Sequence, residues 1–255
     1  MIGSTEFVEE HADWLTETAV AYLNIDVGVS GPRAGLAATP ELARLGASLF
    51  SKVIAPNGGL FNESLYDSWQ RDAGGEVGVL GSGSDYTPFV HHGIGALDVG
   101  SGNGPQDPVW HYHSNYDSYN WMATLGDPGF LQHAAMGQFL ALLALHLADD
   151  EVLPVDVGHY AVEMRAYRDD LVDVLAEYGV ELDLAELSDA IEVFASRADE
   201  AKALEEYAVG LQDEELVRVV NHKYRDFQRG FVSQGGLPDR EFYRNAINAP
   251  GLDTG

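Results

Sequence analysis

The chain has 255 residues, 45% of them hydrophobic, enough for a sizeable core in one large domain or two ordinary ones. Forty-one acidic side chains against 14 basic ones leave a net charge of −27, a surface that repels phosphate backbones and anionic lipid and argues against nucleic acid as a partner. There is no cysteine, which excludes disulfides, iron–sulfur clusters and thiolate zinc sites.

The first residues carry neither the basic nor the apolar region of a signal peptide. Phe7, Ala12, Leu15 and Ala19 predict an amphipathic helix from about Thr5 to Thr18. Ala21 to Val27 is a short apolar run closing on a carboxylate. It predicts a buried strand that delivers Asp26 to its C-terminal edge, where open α/β sheets place ligands. Thr39-Pro40-Glu41 starts a helix running to about Val53, with Pro at the first helical position and Thr as cap. Asn62-Glu63-Ser64 is an N-glycosylation sequon. The Gly- and Ser-rich residues 72–84 read as loop, and Ile94 to Val99 as a second strand. Residues 100–117 form a long irregular segment whose three aromatics argue against disorder.

From Pro128 the pattern turns helical, over roughly 128–148, 156–178, 183–209 and 212–231. The longest apolar run, Phe139 to Ala148, is shorter than the ~20 residues that span a bilayer and reads as a buried helix. Leu153-Pro154 separates an α/β portion, residues 1–150, from an all-α portion, residues 151–255.

The glycine-rich Gly81-Ser82-Gly83-Ser84-Asp85 is not a dinucleotide fingerprint, because position 86 is Tyr. Neither serine has glycines at nucleophile-elbow spacing, and there is no His-Glu-x-x-His helix. What remains is Asp26 and His111-Tyr112-His113, with Asp117 four residues on. Neutral imidazole suits zinc, but alone an HxH pair or a strand-end Asp is more often a packing or capping residue.

Taken in order, five segments resemble the glutamate carboxypeptidase-like peptidases, the N-acetylated alpha-linked acidic dipeptidase group to which transferrin receptor is related. They are Ile2-Gly3-Ser4-Thr5-Glu6, Val20-Ala21-Tyr22-Leu23-Asn24-Ile25-Asp26, Leu80-Gly81-Ser82-Gly83-Ser84-Asp85, Tyr112-His113-Ser114-Asn115-Tyr116-Asp117-Ser118-Tyr119 and Gly236-Leu237-Pro238-Asp239-Arg240-Glu241-Phe242-Tyr243-Arg244. The resemblance covers essentially the whole chain. It implies an α/β fold, the C-terminal part of a zinc-exopeptidase mixed sheet with flanking helices, over residues 1–150. An incomplete all-α dimerisation domain of the transferrin receptor type follows over 151–255, in a protein that pairs as a homodimer.

The resemblance further implies a metallo-exopeptidase, carboxypeptidase or aminopeptidase, that hydrolyses peptides through a water shared by two zinc ions. Asp26 matches a ligand of one zinc, His113 a ligand of the other, and Tyr112 a donor to the developing oxyanion. Glu6 and Glu9 match ligands of a structural calcium, although acids in a first helical turn also serve the helix dipole. Ser82, Gly83, Ser84 and Asp98 fall on substrate-binding positions. Ser84 stands where glutamate-selective members have Asn, and Asp98 and Gly100 stand where they have Arg. Arg33 lies near a third Arg position but out of register. An acid at 98 would repel an anionic side chain, so neutral or basic peptide ends are expected.

The family's adjacent Glu-Glu pair, proton acceptor and zinc ligand, lies just before the Gly-Ser-Thr-Glu motif and would precede Met1. The remaining His and the bridging Asp lie farther upstream. The expectation is a chain truncated at both ends and inactive alone. It would also be prone to aggregate, because the family's last helix would follow Pro250-Gly251. The alternative is a non-catalytic binding and dimerisation protein like transferrin receptor. Localisation is not visible in the chain; by resemblance it is membrane-anchored, vacuolar or secreted.

Overall fold

A computed structural model of the chain describes residues 2–56 and 63–249. Asn62 of the sequon and the chain beyond Ala249 lie outside the described residues. Three strands, β1 (Ala21–Asn24), β2 (Arg33–Ala38) and β3 (Gly95–Gly102), form a sheet in the order β1–β3–β2. β1 runs parallel to β3, with Asn24 opposite Asp98; β2 runs antiparallel to it, with Arg33 opposite Gly102.

β3 is central and covered on both faces, which explains its near-continuous small and apolar sequence. On one face Leu36, Leu97 and Val99 pack with Leu42, Phe50, Phe139 and Leu143 of helices α3 (Pro40–Phe50) and α7 (Leu131–Asp149). On the other face Ala96 packs with Tyr86 and Val90 of the short helix α5 (Tyr86–His91). α7 is long and apolar enough to cross a membrane, yet it buries Ala135, Met136, Phe139 and Leu143 in the core.

Several expectations hold and several shift. The predicted N-terminal helix is two, α1 (Ile2–Glu10) and α2 (Ala12–Thr18), meeting at His11, where the backbone leaves helical values (φ −109°, ψ 18°). The break forfeits little, because His11 N still donates to Phe7 O and Leu15 N to His11 O. α3 starts as expected but ends three residues early, and the Thr39 side chain does not cap it. Its hydroxyl is diverted to the sheet, accepting from Ala96 N (3.0 Å) and reaching Glu41 Oε1 (2.9 Å). β3 is longer than predicted, so the irregular segment begins at Asn103. β2, α5 and α4 (Leu65–Ala73), which is started by a Ser64/Asp67 capping box, had no counterpart in the sequence reading.

The C-terminal helices are α8 (His159–Glu177), α9 (Ala185–Leu211) and α10 (Glu214–Asp226), with a tight 3₁₀ turn over Phe227–Phe231 in place of α10's last predicted turn. Tyr160, Phe194, Phe227 and Phe231 form an aromatic cluster among them. The linker at Leu153 is pinned to α10: Leu153 N donates to Asn221 Oδ1, and Asn221 Nδ2 to Glu151 O, both at 2.9 Å.

A buried polar cluster joins the helical part to the sheet. Gln228 Nε2 donates to both carboxylate oxygens of Glu41, at 2.8 and 2.9 Å. Burial pushes the Glu41 carboxyl above its ordinary value, with the hydrogen bonds from Gln228 and Thr39 opposing. Asn245, also buried, bonds Gln228 Oε1 and Val90 O. The amides of Arg244 and Asn245 both donate to His91 Nδ1 (3.1 Å). Desolvation then keeps that ring neutral, its pKa down to about 4.

Candidate functional site

β1 ends at Asn24, and two residues later Asp26 stands exposed at the C-terminal edge of the sheet. Across from it lies the segment between β3 and α6 (Tyr119–Trp121), tied to β2 by an Arg33–Asp107 ion pair at 2.9 Å. Within that segment Ser114 Oγ donates to His111 O (2.8 Å) and accepts from Tyr116 N (3.2 Å), closing a tight turn. His113 sits in that turn with φ +54°, its ring stacked on Tyr112 at 3.6 Å between centroids.

The two elements enclose an open cavity of about 550 Å³, lined by Asp26, Val27, Trp110, Tyr112, His113 and Asp117 among others. Asp26 and the adjacent pair Tyr112-His113, far from it in sequence, thus line one space. Asp26 and His113 are donors of the type zinc takes, but a catalytic zinc needs three protein ligands. Among the described residues no group of three or more His, Asp or Glu could hold a metal. Asp26 and His113 thus stand as two donors without a third beside them among the described residues.

Glu6 and Glu9 are exposed on α1. No further acid joins them in a metal-holding group among the described residues, and a calcium there would draw its other oxygens from backbone or water. Ser82, Gly83, Ser84 and Asp98 do not line the cavity. Ser82 O accepts from Tyr86 OH (2.7 Å), and Gly83 takes φ +112°. Ser84 and Asp98 lie beneath Asp26, linked by Asn24, whose Nδ2 donates to Ser84 Oγ (3.0 Å) and Asp98 Oδ1 (2.9 Å). Burial pushes the Asp98 carboxyl upward, against the hydrogen bond from Asn24. The sequence reading gave Asn24 no role; its only signal was a buried amide at a strand end. The Ile2–Glu6 segment joins the same assembly through Ser4 Oγ, which donates to Asp85 Oδ1 (2.7 Å).

The profile of peptidase family M28 matches residues 1–133, more than half of the chain. The chain belongs to peptidase family M28. A transferrin receptor-like dimerisation domain matches residues 182–255. Over 258 residues the chain is 55% identical to a "Probable glutamate carboxypeptidase" of Arthroderma benhamiae, covering 100% of this chain and 36% of that protein. It is 36% identical to the "Probable glutamate carboxypeptidase LAMP1" of Arabidopsis thaliana, and 29% identical to "Aminopeptidase NAALADL1" of Rattus norvegicus. Each of these two matches covers 98% of this chain and 36% of the relative. The chain thus spans about a third of the length of the relatives it matches.

Proposed function

We propose that this M28 chain contributes one part of a two-zinc exopeptidase site, Asp26 serving one metal and His113 the other. Tyr112 donates to the oxyanion that develops when the scissile carbonyl is attacked. The observation that carries this reading is the convergence of Asp26, Tyr112 and His113 on one open cavity. With one ligand per metal, the 255-residue chain is catalytically silent by itself. The remaining ligands and the general base come from the rest of the longer protein.

We divide the chain into a peptidase part, 1–150, and a dimerisation part, 151–255, through which two copies associate.

The purified chain with stoichiometric zinc should not hydrolyse dipeptides; turnover there overturns the incomplete-site reading. In the longer protein, Asp26→Ala and His113→Ala should each abolish hydrolysis, and retained activity overturns the ligand roles. Sedimentation should show a dimer that is lost when residues 151–255 are removed.

A further inference from the structure

Asp26 does not hold its direction by its own contacts, since its side chain is exposed and the residue after it is strained. Val27 adopts φ +54°. That region is unfavourable for a β-branched residue and persists only where the surroundings over-determine it. The structure shows what grips it. Ahead of the strained residue, Asn24 is buried and its amide is fixed between Ser84 Oγ and Asp98 Oδ1. The same Asp98 oxygen receives the Asp26 N–H at 3.5 Å. Behind it, Ser101 N donates to Gly28 O (3.0 Å). Gly100 leaves just enough room for the Val27 carbonyl, which a Cβ there would meet at 3.0 Å.

We propose that Asp98 is a positioning residue for Asp26, holding the strand end through Asn24 and the Asp26 amide so that Asp26 faces His113 across the cavity. The inference rests on the peptidase reading above and replaces the substrate-contact role that sequence alone suggested for Asp98. It requires an oxygen acceptor at that register. Alanine would leave the buried Asn24 amide short of a partner and release the turn. Asparagine keeps an acceptor oxygen and should keep the geometry.

The test compares Asp98→Ala with Asp98→Asn. In the 255-residue chain, hydrogen exchange read by NMR at the Asn24 side-chain amide and at the Asp26 and Val27 amides should accelerate about tenfold or more in Asp98→Ala. Leu23 and Leu97 should stay within about threefold. In the longer peptidase, Asp98→Ala should lower kcat about tenfold or more with KM little changed, and Asp98→Asn should restore most of it. Unchanged exchange around Asp26, a uniform loss across the sheet, or an unchanged kcat would overturn the proposal. Should the unaltered longer protein show no peptidase activity, the functional reading fails, and the exchange pattern still decides whether Asp98 holds the Asp26 turn.

Discussion

Replacing Gln228 by Leu should cost about 3 kcal/mol at a pH where Glu41 is ionised and only about 1 kcal/mol near pH 4. Gln228 Nε2 lies 2.8 and 2.9 Å from the two oxygens of a carboxylate at the start of α3, and both side chains are buried. Hydrogen bonds to a charged group contribute about 1.5–3 kcal/mol, and stripping a partner from a buried charge costs about 3–5 kcal/mol. Thr39 Oγ1 remains as a second donor, which keeps the expected loss near the lower end. Leu has a similar volume, so little cavity is added.

The pH dependence follows from the raised carboxyl of Glu41. A group whose pKa is higher in the folded state contributes most when protonated, and that contribution is lost as pH rises above the ordinary value of 4.5 and through the folded one. Near pH 4 the carboxyl is largely protonated, folded or unfolded, and the Gln228→Leu variant forfeits only a neutral hydrogen bond, worth about 1 kcal/mol. Once the pH is high enough for Glu41 to ionise in the parent, the variant must either bury a poorly solvated charge or take up a proton. Urea unfolding followed by Trp fluorescence, variant against parent at each pH, isolates this difference because other titrating groups cancel. A penalty that stays flat as pH rises from 4 through the titration of Glu41 would refute the reasoning.

Gly95→Ala should destabilise by about 1–3 kcal/mol in the same assay, because its Cβ would overlap Oε1 of the confined Glu41. The His91 ring should titrate near 4 by NMR, and a value above 6 would contradict its two backbone donors. A depressed folded pKa means that His91's contribution is present above its ordinary 6.5 and lost as pH falls toward about 4. Val27→Gly should stabilise the chain by up to about 1 kcal/mol, since relief of the left-handed strain outweighs glycine's added unfolded-state entropy. Destabilisation would show that Val27's packing matters more than its backbone strain.

The long helices were legible from long stretches rich in helix formers such as Ala, Leu and Glu that no proline interrupts. The strand leading to Asp26 was legible because it is a short apolar run closing on an acid. β2 was not, because Arg33-Ala34-Gly35-Leu36-Ala37-Ala38 has little strand propensity and owes its alternating burial to pairing with β3. α5 was hidden by its six-residue length and internal Pro88. At the site, Asp26, Tyr112 and His113 could be singled out by residue type and by resemblance. Asn24 could not, since its role depends on Ser84 and Asp98, which lie 60 and 74 positions away. The Thr39 cap was read correctly as a position and wrongly as a bond, because its hydroxyl is closer to being a strut of β3 than of α3.

The contact between Glu41 and Gln228 spans 187 positions, and that between His91 and Asn245 spans 154. A ribosome therefore releases α3 and α5 well before the groups that satisfy them exist. Until then the Glu41 carboxylate and the His91 ring must stay hydrated, and the sheet cannot close tightly over them. The segment that follows α10 thus supplies the partners that let the polar centre of the first half be buried.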